Sequence, residues 1–296
     1  MHKNIPYVCD AICEPSGGQL LGLLASIYEG VHDEELLQKE SEREGESALE
    51  QATNLGLVKP HKKGQLILTA PGYLVANVAK EYIHWINNNR QMPPPYPPDD
   101  LIKGMDVLDL GCSFGRWLWQ FQKNAKSVVG LEMQEEYIEL GRALAKRECI
   151  PCPEIRQGSV EELSSHVADN SVDFVFIRLV LNHVNVGKTL LQIANVLRSG
   201  GIVWAQVESF SSPFRSFLRR DKGRELRGKV FAAFSIMNSI VFMTTHRQMS
   251  LRIHGRMHST HKPVYPTLKA WRAAFSRVGL CDFHKIQSNV FWARKF

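Results

Sequence analysis

The chain lacks most of the features that place a protein at first sight. Its N-terminus, Met-His-Lys-Asn, has no apolar run of the kind that opens a secretory signal. No stretch of about 18 or more consecutive apolar residues marks a membrane span. There is no internal repeat, which sets aside solenoids and propellers. Cysteine is sparse, 6 in 296 residues, and in the absence of a leader the thiols are expected to be free in a reducing, cytoplasmic compartment. Acid is scarce in one region only. Residues 209–296 hold 17 Lys and Arg against 3 Asp and Glu, a net charge of +14, whereas residues 1–208 hold 19 against 27, a net charge of −8. Such a chain either meets an anionic partner or surface through its last third, or pairs that third with its own acidic part.

A glycine-rich turn is present. Met105–Leu110 is an apolar run with the look of a buried strand, and Gly111-Cys112-Ser113-Phe114-Gly115 follows it. A helix is predicted from about Arg116, with Trp117, Leu118 and Phe121 on its inner face. The next strand, Ser127–Leu131, ends at Glu132, which stands 23 positions after Asp109. Glycines at 111 and 115 let the backbone bend and approach a ligand. A carboxylate at 132 can accept two hydrogen bonds from a ribose diol. The G-x-G-x-x-G fingerprint is missing, and the middle of the turn is filled by Cys112 and Ser113, which disfavours a pyrophosphate.

These residues resemble the first motif of the class I S-adenosylmethionine-dependent methyltransferases, hydrophobic-hydrophobic-Asp-hydrophobic-Gly-Cys-Gly-x-Gly, with Ser113 in place of one glycine. The likeness continues in order along the chain. Gln157-Gly158-Ser159-Val160-Glu161-Glu162-Leu163 resembles the loop after the third strand, with Ser159 where the family usually has Asp, so that the adenine amino contact passes to the backbone. Asn170–Phe176 resembles the fourth strand, and Leu181-Asn182-His183-Val184 the segment after it. Leu190–Gly201 resembles the helix and turn before strand five, and Asn289–Lys295 the last strand. The resemblance covers about residues 100–208 and 263–296. It implies an α/β fold with a Rossmann-like, seven-stranded, largely parallel sheet. It also implies S-adenosyl-L-methionine as cofactor, held by Asp109, Gly111, Cys112, Ser113, Gly115, Glu132, Met133, Ser159, Val160 and Arg178.

Pro93-Pro94-Pro95-Tyr96-Pro97-Pro98 cannot be helix or central strand and reads as a stiff linker. It divides a domain at 1–92 from one at 101–296, with 93–100 between them. The first part predicts helices at Gly18–Glu29, Asp33–Glu40 and Glu46–Leu55, then a hairpin with Lys59, Lys62 and Lys63 at its tip, then a helix from Pro71 through Asn87. That order resembles a winged helix. A regulator that reads DNA would want arginines on the third helix; Glu44, Glu46 and Glu50 stand there instead. The resemblance offers the other reading, a unit that pairs subunits and covers a substrate pocket. A homodimer is expected, because Leu20, Leu23, Leu24, Val75 and Ile83 exceed what so small a unit can bury alone.

Residues 209–262 form an insert between strands five and six. Phe210, Phe214, Phe217 and Leu218 alternate there with Arg215, Arg219 and Arg220, and Val230–Met243 is apolar except for Ser235, Asn238 and Ser239, which share one helical stripe. Three readings are open: a lid whose polar stripe touches substrate and whose Phe231, Phe234, Met237 and Phe242 line an apolar pocket; a buried core helix whose serines bond the backbone; or a segment that docks on a membrane surface. The candidate general bases are His183, just after strand four, and His258 and His261 in the insert. No metal site is expected. His254 and His258 have no carboxylate nearby, and Cys9/Cys13 and Cys149/Cys152 read as two separate buried pairs. The expected function is methyl transfer to oxygen or nitrogen of a small-molecule acceptor. A nucleic-acid-binding protein that uses the basic last third is the rival reading.

Overall fold

The computed structural model describes residues 2–30, 48–61, 65–92, 95–218, 225–252 and 260–296, with no side-chain description at 216, 217, 225–227, 252, 260 and 261. The helix expected at Asp33–Glu40, the acidic residues Glu44 and Glu46, the lysines at 62 and 63, and His254 and His258 lie outside them. The chain forms two compact units.

The first unit joins Met1–Tyr96 to two later segments, Cys112–Lys123 and Gln134–Gln157. Its elements are α1 (Ile5–Cys13), α2 (Gly17–Glu29), α3 (Ala48–Asn54), a hairpin of β1 (Val58–Pro60) and β2 (Leu66–Leu68), and α4 (Ala70–Asn87). It also holds α6 (Arg116–Phe121), α7 (Glu135–Arg147) and β5 (Glu154–Gln157). The sequence expectation missed α1, whose Ile5, Val8, Ala11 and Ile12 form a buried face at helical spacing. That face packs on α7. The backbone N–H of His2 donates to Glu136 at 3.0 Å, and Arg147 donates to the carbonyls of Ile12 and Glu14. Thr69 caps α4 by accepting from the Gly72 N–H. A Cβ at Gly72 would stand 1.9 Å from the Leu57 carbonyl oxygen, so α4 and the chain entering β1 meet there backbone to backbone. Leu20, Leu23, Leu24 and Val75 are buried within this chain. The apolar surplus that predicted a dimer is therefore absent at those four positions, because α2 and the long α4 pack on one another.

The second unit holds Pro97–Gly111, Asn124–Met133 and Gly158–Phe296. Its strands are β3 (Asp106–Leu110), β4 (Ser127–Glu132), β6 (Val172–Arg178), β7 (Leu197–Gln206), β10 (Leu280–Gln287) and β11 (Val290–Lys295). The seven-stranded sheet runs β10-β11-β7-β6-β3-β4-β5. β3 pairs in parallel with β4 and β6, and β6 with β7, while β11 is antiparallel to both β7 and β10. The central strands are near-continuous apolar runs because helices cover parallel strands on both faces. Leu108, Leu110, Val175, Ile177 and Val203 share one core with Trp271, Phe275 and Phe291. The helices of this unit are α5 (Asp99–Ile102), α8 (Val186–Val196), α9 (Ser212–Leu218), α10 (Glu225–Thr245) and α11 (Leu268–Ser276). A two-stranded ribbon, β8 (Leu251–Arg252) with β9 (Thr260–His261), completes the insert. This is the expected Rossmann-like α/β arrangement, and its parallel strands bring the C-terminal ends of β3, β4, β6 and β7 to one edge.

The insert answers one of the open readings. Ser235, Asn238 and Ser239 are buried, and each is bonded to the protein itself. Ser235 Oγ donates to the Phe231 carbonyl and Ser239 Oγ to that of Ser235. Asn238 Nδ2 donates to the carbonyls of Met249 and Pro263, and its Oδ1 accepts from the Met249 N–H. The stripe holds α10 to its own unit and is not a substrate surface. Of the four residues expected to line a pocket, Phe242 packs into the core and Met237 faces solvent. One helix of the insert is apolar overall, although Lys229, Ser235, Asn238 and Ser239 interrupt it. Gly228–Thr245 is 18 residues of mean hydropathy 1.2, enough by length and composition alone to cross a membrane. The cysteines differ from expectation as well: Cys149 and Cys152 are exposed, not buried.

Candidate active site

The shared strand edge collects charged residues. Asp109 is the penultimate residue of β3, Glu132 the last of β4 and Arg178 the last of β6. Asp109 and Glu132 are buried, at 2% and 8% exposure. Burial, and then the charge of Glu132, push the Asp109 carboxyl from 3.8 up to about 8, and Arg178 alone pulls it back. The Asp109 Oδ2 atom is buried and receives no hydrogen bond among the described residues. A buried carboxyl in that state lacks one strong donor. Glu132 accepts from the Met133 N–H at 2.9 Å. The Nε of Arg178 donates to Gln206, the last residue of β7, at 2.9 Å.

The turns at this edge are tightly built. Gly111 has φ +71, and a Cβ there would stand 2.4 Å from a methyl of Val180. Cys112 is buried, and Gly115 has φ +84. Ser113, which occupies a glycine position of the resemblance, nonetheless has φ 53. A left-handed serine costs about 1 kcal/mol over glycine. Leu179, immediately after Arg178, is a bulky residue at φ 59, a strained conformation for its type. Ser159, expected near an adenine, caps the short 3-10 helix Val160–Ser165 by accepting from the Glu161 N–H, and Val160 is buried. Its hydroxyl is therefore committed to the backbone. Gly158 is required on packing grounds, since a Cβ would meet the His166 ring at 2.3 Å.

His183 lies in the turn after β6 with its side chain half exposed. Its Nε2 is 3.5 Å from a Glu208 oxygen, and its ring sits edge-on to Tyr265. Glu208 is fixed from two further sides. Its other oxygen accepts from the Ser212 hydroxyl at 2.6 Å, and its backbone N–H donates to Asn182 at 2.7 Å. Asn182, wholly buried, also donates to the Val264 carbonyl, so one side chain ties the turn after β6 to the turn after β7 and to the segment before α11. The hydrogen bond to His183 holds the Glu208 carboxyl below its usual value, against burial, with Ser212 helping. Burial and the Glu208 charge push the Tyr265 phenol up, so it stays a neutral hydroxyl. A carboxylate behind an imidazole orients the ring and stabilises its protonated form, which is the arrangement a general base needs.

The structure thus brings Asp109, Gly111, Glu132 and Arg178 to one strand edge, with His183 at the turn that follows. His258 is outside the described residues, and for His261 only the backbone, in β9, is described. Sequence reasoning missed Glu208, Tyr265 and the stapling role of Asn182. One signal for Glu208 existed: Val207-Glu208 places an acid directly after an apolar strand, as Leu131-Glu132 does. Among the cysteines, burial pushes the Cys9 thiol up to about 12, with the Glu139 charge adding to it.

Comparison with known proteins finds likenesses over part of the chain. Residues 108–205 match a family model described as a methyltransferase domain. The chain is 30% identical over 104 residues to the ubiquinone biosynthesis O-methyltransferase of Acinetobacter baumannii, covering 35% of this chain and 44% of that protein. It is 29% identical over 119 residues to an uncharacterized methyltransferase of Mycobacterium bovis, covering 38% and 46%. A bifunctional methyltransferase/kinase of Escherichia coli, an O-antigen chain terminator, is 30% identical over 84 residues, 28% of this chain and 12% of that protein. The chain therefore spans less than half the length of these relatives. Among solved structures, an S-adenosylmethionine-dependent methyltransferase from Mesorhizobium loti matches at a TM-score of 0.44 and 15% identity, covering 67% of this chain and 94% of that one. Over residues 108–205, which hold the strand edge just described, the chain is similar to a methyltransferase domain.

Proposed function

We propose that the whole chain is a methyltransferase that moves a methyl group from S-adenosylmethionine to a hydroxyl of a small-molecule acceptor. The observation that carries the cofactor reading is Asp109: a buried carboxyl with an unpartnered oxygen, beside Glu132 and facing one arginine, fits the ammonium of an amino acid. Arg178 would take the carboxylate of that amino acid and Glu132 the ribose diol, with Gly111 allowing the close approach that a side chain would block. When bound, the cofactor supplies an already activated methyl on a sulfonium. What remains for the protein is alignment, exclusion of water and removal of one proton.

His183 and Glu208 support the hydroxyl reading. An amine acceptor needs only to be unprotonated, whereas a hydroxyl benefits from a base. His183 would accept the hydroxyl proton, and Glu208, fixed by Ser212 and Asn182, would stabilise the resulting imidazolium. The O-methyltransferase among the relatives agrees with this reading. We read α3, the β1–β2 hairpin and α4 as the winged-helix-like part of the first unit. A homodimer is retained as the pairing such a unit would make, through residues other than the four buried leucine and valine positions. Transfer of a labelled methyl to a panel of hydroxylated and amino small molecules tests the proposal. Turnover on a hydroxyl that falls as pH is lowered, with that acidic limb removed by His183→Gln, supports it. Turnover on amines alone, indifferent to His183→Gln, contradicts it.

A further inference from the structure

Helix α10 is inside out. An ordinary surface helix turns its apolar stripe to the core and its polar stripe to water. Here Ser235, Asn238 and Ser239 are at 1%, 0% and 0% exposure, while Val230, Met237 and Ile240 are at 55%, 51% and 49%. Val230, Ala233, Met237, Ile240 and Thr244 recur at spacings of three and four, so they form one continuous outward stripe. Helix α9, which packs against α10, adds Phe214 and Leu218, the latter 77% exposed. The buried side needs no further partner, since its polar groups bond Met249, Pro263 and Tyr265 of the same unit. The outward side is a run of mostly apolar groups that the described residues leave in water, which marks an interaction surface.

We propose that this outer face of α10, with the adjoining end of α9, docks on the surface of an anionic lipid bilayer. Charge selects the occupant. By sequence, residues 212–230 hold 7 Lys and Arg against 2 Asp and Glu, and residues 209–296 as a whole carry a net +14. Apolar groups flanked by cations fit acyl chains beneath anionic headgroups. A second copy of this chain would instead bring a segment of like net charge against this one. The helix lies on the bilayer and does not cross it. Lipid on all sides would tear Asn238 and Ser239 from the backbone groups they bond, and each would be left unpaired in hydrocarbon.

Co-sedimentation of the full chain with vesicles tests this without any methyl acceptor. Vesicles of phosphatidylglycerol and phosphatidylcholine should bind the chain, vesicles of phosphatidylcholine alone should bind it at least about tenfold less, and raised salt should weaken the binding. Met237→Glu with Ile240→Glu should reduce binding to the anionic vesicles by about tenfold or more. Both residues face solvent, so an unchanged circular dichroism spectrum is expected and S-adenosylhomocysteine binding should be kept. Three results overturn the proposal: no binding to anionic vesicles, binding that the double variant does not change, or a parent dimer by light scattering that the double variant converts to monomer. The last would assign the face to a second copy. Loss of vesicle binding together with loss of cofactor binding would mean an unfolded variant, in which case Val230→Glu on the same stripe decides by the same measurement.

Discussion

Replacing Asp109 with Asn should stabilise the ligand-free protein and cost it the cofactor. The Asp109 carboxyl is displaced from 3.8 to about 8, by burial first and by the Glu132 charge second. Because the folded value is above the unfolded one, the native state holds a proton that the unfolded chain has released. The stability tied to that proton is complete below pH 3.8 and is lost progressively as pH rises toward 8. At about 1.4 kcal/mol per pH unit the loss across this window reaches an upper bound of about 6 kcal/mol. Asn has nearly the shape of the protonated acid and does not ionise. It leaves a similar polar group short of a partner, so the variant should match the parent near pH 4. By pH 8 it should be more stable by about 2–5 kcal/mol. Urea denaturation of both proteins at a series of pH values measures the difference directly. If the two curves stay parallel from acid to pH 8, Asp109 ionises in the fold as freely as in water and the reasoning about its environment is wrong. The same substitution removes the anion offered to an ammonium, so calorimetry should show S-adenosylmethionine binding weakened by about tenfold or more. Stability gained where binding is lost is the usual mark of a functional site.

Glu132→Ala should weaken S-adenosylhomocysteine binding by about 1.5–3 kcal/mol for each charge-assisted hydrogen bond lost, and calorimetry reads it; unchanged affinity counts against the ribose contact. Glu208→Gln should lower kcat by roughly 10–100-fold with little change in the acceptor KM and should move the acidic limb of the pH profile, because it withdraws the charge behind His183; equal effects on KM and kcat would indicate a packing role. Ser113→Gly should raise stability by about 1 kcal/mol in chemical denaturation by relieving a left-handed serine, and a loss of stability would show that its hydroxyl matters more than its backbone. Asn238→Ala should destabilise the chain by about 2–4 kcal/mol, since it orphans two carbonyls and an N–H at once; a neutral result would mean that water replaces it.

The sheet was legible because its signals are local. Val107 to Leu110, Val128 to Leu131 and Phe174 to Ile177 are apolar runs closed by a glycine, an acid and an arginine, and each residue type announces both the strand and its end. Asp109, Gly111, Glu132 and Arg178 could be named for that reason. Glu208 and Tyr265 could not, since they meet His183 only through the fold, one after β7 and the other 82 positions beyond His183 in the sequence. The polar stripe of α10 was visible, but its direction was not. Spacing reports that Ser235, Asn238 and Ser239 share a face, and only the partners Met249, Pro263 and Tyr265 show that the face is inward. The dimer argument weakened for a related reason: the apolar residues of α2 and α4 could be counted from the sequence, but not that the two helices bury them against each other.

The central claim is tested most directly by calorimetric titration of the purified chain with S-adenosylhomocysteine, repeated in two buffers of different ionisation enthalpy at pH 7. The account predicts saturable binding, no heat from NAD, and release of close to one proton as Asp109 ionises against the ligand ammonium, with that proton missing in Asp109→Asn. Binding of NAD, or S-adenosylhomocysteine binding that releases no proton and is indifferent to Asp109→Asn, would contradict it.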